Sequence, residues 1–147
     1  MKLYFIRWLA FAVIAILFSG CTMAYHLYAR NLTDHNSEVI LMYDAPIDTL
    51  LASGHDLHFS YFNTVEDIKS NTYKALDDSL EYERGSLSRV RIVIPPRSTV
   101  FIPSAAHLQS AIVSSGGMET TIERESGPLK EGKSKAFAPK AYYFDIE

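Results

Sequence analysis

Arg89-Val90-Arg91-Ile92-Val93-Ile94-Pro95-Pro96-Arg97-Ser98-Thr99-Val100-Phe101-Ile102-Pro103 is the stretch from which the fold is read. Val90, Ile92 and Ile94 alternate with Arg89, Arg91 and Val93, the two-residue period of a strand that turns one face to a core. Pro95-Pro96 stops that strand, because proline has no N–H to give to a ladder. Thr99–Ile102 then reads as a second strand, closed by Pro103. A strand, a proline turn and a strand make either a sheet edge or a corner where the chain crosses between sheets.

Toward the C-terminus, Leu108–Val113 and Met118–Ile122 are two further strands, joined by Ser114-Ser115-Gly116-Gly117. The paired glycines supply the positive φ that a tight hairpin demands. From Glu125 to Lys140 the chain is polar and turn-rich, with Gly127-Pro128, Gly132 and Pro139, and reads as a solvated loop. Lys130, Lys133, Lys135 and Lys140 make that loop basic, so its functional reading is a docking site for an acidic partner surface. Ala141–Ile146 closes the chain as an aromatic strand with Tyr142, Phe144 and Ile146 on one face.

Toward the N-terminus, Asn63 or Thr64 can cap a helix whose first turn carries Glu66 and Asp67. Val65, Ile68, Thr72, Leu76 and Leu80 recur at three- and four-residue steps, which predicts an amphipathic helix that stops between Leu76 and Gly85. Leu57–Phe62 alternates as a half-buried strand, Ile47–Ser53 is a helical turn or a loop, and Glu38–Tyr43 reads as a central strand after the turn Asp34–Ser37. Seven or eight short strands and one helix, with turn signals between most of them, predict a mainly β fold. The expected form is an antiparallel two-sheet sandwich with one helix, immunoglobulin-like or transthyretin-like, because a parallel sheet needs repeated crossover helices.

The chain opens differently. Met1–Arg7 carries Lys2 and Arg7, Trp8–Phe18 is an unbroken apolar run, and Ser19-Gly20 precedes Cys21. A basic start, an apolar segment and small residues at a cleavage point are the layout of a secretory signal. Arg7 leaves an apolar run shorter than the roughly 20 residues a spanning helix needs. With a cysteine at the cleavage point, residues 1–21 resemble the signal of a bacterial lipoprotein. The resemblance implies cleavage before Cys21, a diacylglyceryl group and an acyl chain on that residue, and, because Thr22 rather than Asp follows, sorting to the outer membrane. The expected organisation is a signal peptide over 1–20, a lipidated tether over 21–30 and one sandwich domain over 31–147.

Composition agrees with export. Cys21 is the only cysteine, so an oxidising compartment has no internal disulfide to form. Without Lys2 and Arg7 the formal charge of −3 becomes −5, which argues against a nucleic-acid partner. Other candidate sites are weaker. His55, Asp56 and His58 could suggest a metal, yet residues three apart on a strand point to opposite faces. Asp77, Asp78, Glu81 and Glu83 lack a calcium loop's regular oxygen spacing and glycine. Ser115 beside paired glycines, with His107 as the nearest base in sequence, lacks the spacing of a nucleophile turn. Asn31-Leu32-Thr33 matches a glycosylation sequon that belongs to eukaryotic secretion. The expectation is therefore a non-enzymatic envelope lipoprotein, without cofactor or metal. It is held to the membrane by its lipid, faces the periplasm, and binds or assembles another envelope protein. The alternative is a small periplasmic enzyme or a ligand or metal carrier with a pocket between the sheets.

Overall fold

The structure, a computed structural model, describes residues 25–69, 72, 76, 78–134 and 138–147. The signal segment, Cys21, Asp77 and Lys135 lie outside the described residues. Two sheets face each other across one core. Sheet A contains β1 (Tyr25–Asn31), β3 (Phe59–Phe62), β4 (Asp78–Leu80), β7 (Ser98–Ile102), β10 (Lys130–Glu131) and β11 (Lys140–Ile146), in the order β10-β11-β1-β7-β3-β4. Sheet B contains β2 (Ser37–Tyr43), β5 (Tyr82–Arg84), β6 (Arg89–Ile94), β8 (Leu108–Ser115) and β9 (Met118–Glu123), in the order β5-β6-β2-β8-β9. Pairing is antiparallel except between β1 and β11, where the first and last strands run parallel with Arg30 opposite Asp145.

The proline corner crosses between the sheets: β6 lies in sheet B and β7 in sheet A. Val90, Ile92 and Ile94 of β6 and Val100 and Ile102 of β7 enter the common core with Val39, Leu41, Ala29, Phe59 and Phe144. Arg97 holds the corner with φ +50°, its N–H donating to the Thr33 carbonyl at 3.1 Å. Asn31 ties the corner to the neighbouring loop. Fully buried, its amide nitrogen donates toward the carbonyls of His35, Ile94 and Pro95, and its oxygen accepts from the Thr33 N–H and hydroxyl. The sequon asparagine is thus a buried structural amide, out of reach of a glycosyl donor in the folded chain.

β2 is the middle strand of sheet B, as its apolar run implies. Ser37, Val39, Leu41 and Tyr43 are buried, while Ile40 and Met42 on the outer face are half-buried. The β8–β9 hairpin closes through Gly116 and Gly117, both at positive φ (57° and 81°), the requirement of a type I′ turn. β1 (Tyr25–Asn31) lies largely inside the stretch read as tether.

Residues 63–69, where the spacing places the first turns of a helix, are not helical, and residues 70, 71, 73–75 and 77 of the predicted helix lie outside the described residues. α1 (Ile47–Ala52) is the one α-helix among the described residues, and it buries Ile47 and Leu50. Residues 63–69 instead cross the outer face of sheet A as a strap. The Glu66 N–H donates to Thr99 Oγ1, Thr99 donates to the Thr64 carbonyl, Arg30 Nη1 donates to the Glu66 carbonyl, and the Lys133 N–H donates to the Ile68 carbonyl. Backbone groups that a helix would pair internally are satisfied by the sheet, which overrides local propensity. Ile68 is buried with Tyr28 and Ala141 in a second apolar cluster, and Leu76, Phe101 and Tyr143 pack against it. Of the predicted stripe Ile68 is buried and Thr72 and Leu76 are half-buried, Val65 is exposed, and Leu80 lies half-buried in β4 against the main core.

Candidate interaction surface

The strand directions give the sandwich two ends. β1 and β11 begin, and β2, β7 and β9 finish, at the end that carries α1 and the turn Ala105–His107. At the opposite end lie the β1–β2 loop, the proline corner and the β8–β9 hairpin. The long seams also differ. Along one, only Glu81 separates β4, the edge of sheet A, from β5, the edge of sheet B, so the chain steps across and closes it. Along the other, β9 faces β10 and β11, and the sheets part into a cleft of about 360 Å³. Val113, Ser115, Met118, Thr120 and Ile122 form its sheet B wall, and Pro128, Lys130, Asp145, Ile146 and Glu147 form the other.

The charged heart of this region lies on β1 and β11. Arg30 donates through Nε to Asp145 Oδ1 at 2.7 Å and through Nη2 to Oδ2 at 2.9 Å, and Lys130 Nζ donates to the same Oδ2 at 2.7 Å. The Arg30 guanidinium lies 4.2 Å from the centre of the Tyr143 ring, a cation–π distance. Burial alone would raise the Asp145 carboxyl, but the hydrogen bonds from Arg30 and Lys130 outweigh it and hold the group below its ordinary value. The same hydrogen bonds, accepted by Asp145, raise Arg30 and Lys130. Sequence alone did not reveal this cluster. Its only signal is a pair of charged residues each two positions from a tyrosine on an outward-facing row, and strand order is needed to join them.

Three of the four lysines read as a docking patch, those among the described residues, are committed within the chain. Lys130 pairs with Asp145, Lys133 with Asp67 at 2.8 Å and Lys140 with Glu131 at 3.2 Å. Ser115 and His107 do not meet. Ser115 ends β8 and His107 lies in the turn before it, with the strand's length of roughly 24 Å between them. Ser115 Oγ lies instead 3.3 Å from His35 Nε2 and 3.3 Å from Ser37 Oγ. Among the described residues no carboxylate is hydrogen-bonded to the His35 ring, so the third member that orients a catalytic base is not in place.

His107 Nδ1 is 3.1 Å from Asp44 Oδ1, and its ring meets that of His55 edge-on at 4.4 Å. His58 and Asp56 make a turn in which the His58 N–H donates to Asp56 Oδ1. Among the described residues no three His, Cys, Asp or Glu side chains are grouped to hold a metal ion. Of the acidic run, Asp78 accepts from Asn63 and Glu83 pairs with Arg91. A second, shallow groove of about 530 Å³, polar and bounded by Asp44, Leu108–Ser110 and Glu123–Glu125, lies at the end where β1 begins.

Architecture places the chain in the class of two-sheet β-sandwiches with an inserted short helix and an outer strap. No family model matches it, and no curated protein or solved structure is significantly similar to it.

Proposed function

We propose that this protein is a lipid-anchored lipoprotein of the bacterial envelope that acts as a non-enzymatic interaction or assembly module facing the periplasm. The position of Cys21 carries the reading. It stands four residues before Tyr25, where β1 starts, and four extended residues reach about 14 Å at most. A lipid at Cys21 therefore holds the α1 end of the sandwich close to the bilayer and turns the hairpin and the proline corner away from it. Two or more acyl chains give stable anchoring, because each buried methylene contributes about 0.8 kcal/mol and a single chain is marginal. The open seam runs along the flank of the domain so held and is accessible to a second protein.

The experiment is metabolic labelling with a palmitate analogue, followed by membrane fractionation and mass measurement of the mature chain. The wild type takes up label, floats with membranes and has a mass that begins at acylated Cys21. Cys21→Ser loses the label and leaves the membrane or stays uncleaved. Equal labelling of both proteins, or a wild type with no lipid, refutes the reading.

A further inference from the structure

We propose that β9 is a docking edge for an extended segment of a partner protein, which adds as a strand to sheet B, turns apolar side chains toward the open cleft and sets basic ones against Glu119 and Glu123. The proposal deepens the interaction-module reading and rests on it. Its ground is the backbone. The Arg124 N–H donates to the Gln109 carbonyl, which fixes the phase of the β8–β9 ladder. In an antiparallel pair alternate residues point their N–H and C=O groups to the same neighbour. Met118, Thr120 and Ile122 therefore bond toward β8, while Glu119, Thr121 and Glu123 point their backbone groups outward.

The Glu123 carbonyl accepts from the Gly127 N–H at 2.8 Å, so the turn that follows β9 ends the edge there. Glu119 and Thr121 remain, with two donors and two acceptors turned away from β8 and no strand beside them among the described residues. Among the described residues β9 pairs with β8 alone. An uncovered edge of this length is a template for strand addition.

Side chains define what fits. Met118, Thr120 and Ile122 face inward beside the cleft, so the inward residues of an added strand lie above it and meet Ile146 and Pro128. Glu119 and Glu123 lie on the outer face, both exposed. Lys130, the one cation among the described residues lining the cleft, is already held by Asp145. A second copy of this chain is a poor occupant. Twofold pairing centred on Thr121 sets Glu119 against Glu123 twice, and a shift to Thr120 leaves the carboxylates diagonal; like charges in these positions are destabilising. The matching segment runs basic, apolar, any residue, apolar, basic, the last residue lying past the edge that Gly127 closes, so that only its side chain reaches Glu123.

The test uses the full chain in detergent micelles and, as probe, a synthetic peptide with the core Lys-Val-Thr-Val-Lys. Backbone amide exchange at Glu119 and Thr121 is expected to slow on addition of the peptide. Thr121→Pro removes one outward N–H and no β8 bond, and loss of that bond weakens binding by about tenfold or more. Glu119→Lys reverses the charge and supplies a readout that misfolding does not imitate. It binds the peptide with glutamates in place of the lysines more tightly than the original, the inverse of the wild-type preference. The proposal is overturned if about 1 mM peptide leaves both amides unprotected. It is also overturned if Glu119→Lys keeps the wild-type preference, or if sedimentation shows a dimer whose β9 amides are already protected. These outcomes do not depend on lipid at Cys21, so the anchor and the edge stand or fall separately.

Discussion

Replacing Asp145 with asparagine tests the electrostatic centre of sheet A. The carboxylate side chain is 5% exposed, its main partner Arg30 is 17% exposed, and the pair is bidentate. Asparagine keeps the size and one acceptor but turns an NH2 group toward a guanidinium N–H. A hydrogen bond to a charged group is worth about 1.5–3 kcal/mol, and breaking a buried pair costs about 3–5 kcal/mol. Arg30 retains the Glu66 carbonyl and the Tyr143 ring, which places the expected loss at about 2–3 kcal/mol. For a domain of this size that is roughly 10 °C in Tm.

Urea unfolding followed by tyrosine fluorescence at pH 7 measures the loss, with an unchanged slope required. The pH dependence supplies a second arm. The folded carboxyl titrates below its ordinary value of 3.8, so its contribution is complete above that value. As pH falls through the folded value the native carboxyl must take up a proton and the contribution disappears. Wild type and Asp145→Asn are therefore expected to converge in strong acid. A deficit under about 0.5 kcal/mol at pH 7, the range of ordinary surface substitutions, refutes the reasoning, as does a deficit that persists undiminished in acid.

Two other substitutions probe the loops that lock the sandwich. Asn31→Leu removes an amide bonded to two loops and takes from the Thr33 N–H and hydroxyl their shared acceptor, with an expected cost of about 2–4 kcal/mol by chemical denaturation; near-wild-type stability contradicts the role assigned to it. Gly132→Ala places a Cβ 2.7 Å from the Ile68 carbonyl oxygen and 2.9 Å from Ile68 Cγ2. The strap is expected to lift from sheet A, with faster amide exchange at Lys133 and an overpacking cost of about 1–3 kcal/mol, and an unaltered exchange pattern counts against the strap's attachment.

What the sequence disclosed depended on how local the cause was. The six-residue β6, the corner at Pro95-Pro96, the Gly116-Gly117 hairpin and the inward row Tyr142, Phe144 and Ile146 are written in alternation and turn chemistry, and all are present. The three-residue strands β4 and β5 are too short to show a period, and they take up residues 78–84, beyond Leu76, where the expected helix can end. The strap was misread because its apolar spacing fits a helix as well as it fits an irregular crossing, and only Thr99 and Arg30, distant in the chain, decide between them. The surface was less legible still. Ser115 meets His35 rather than His107, Arg30 meets Asp145, and β9 is an edge, all because of strand order, which no local pattern carries.

The parallel pairing of β1 with β11 has a mechanical consequence. β1 is flanked on one side by β11 and on the other by β7, with seven register positions along the first and five along the second. A pull on Tyr25 directed out of the α1 end, along the strand axis, loads both ladders in shear, so their bonds must yield together rather than peel apart one by one. Rupture under such a load is governed by an unfolding rate rather than by equilibrium stability. β1 is therefore placed to bear tension applied at Tyr25, and the strand that takes that strain is also the one that the final strand locks in.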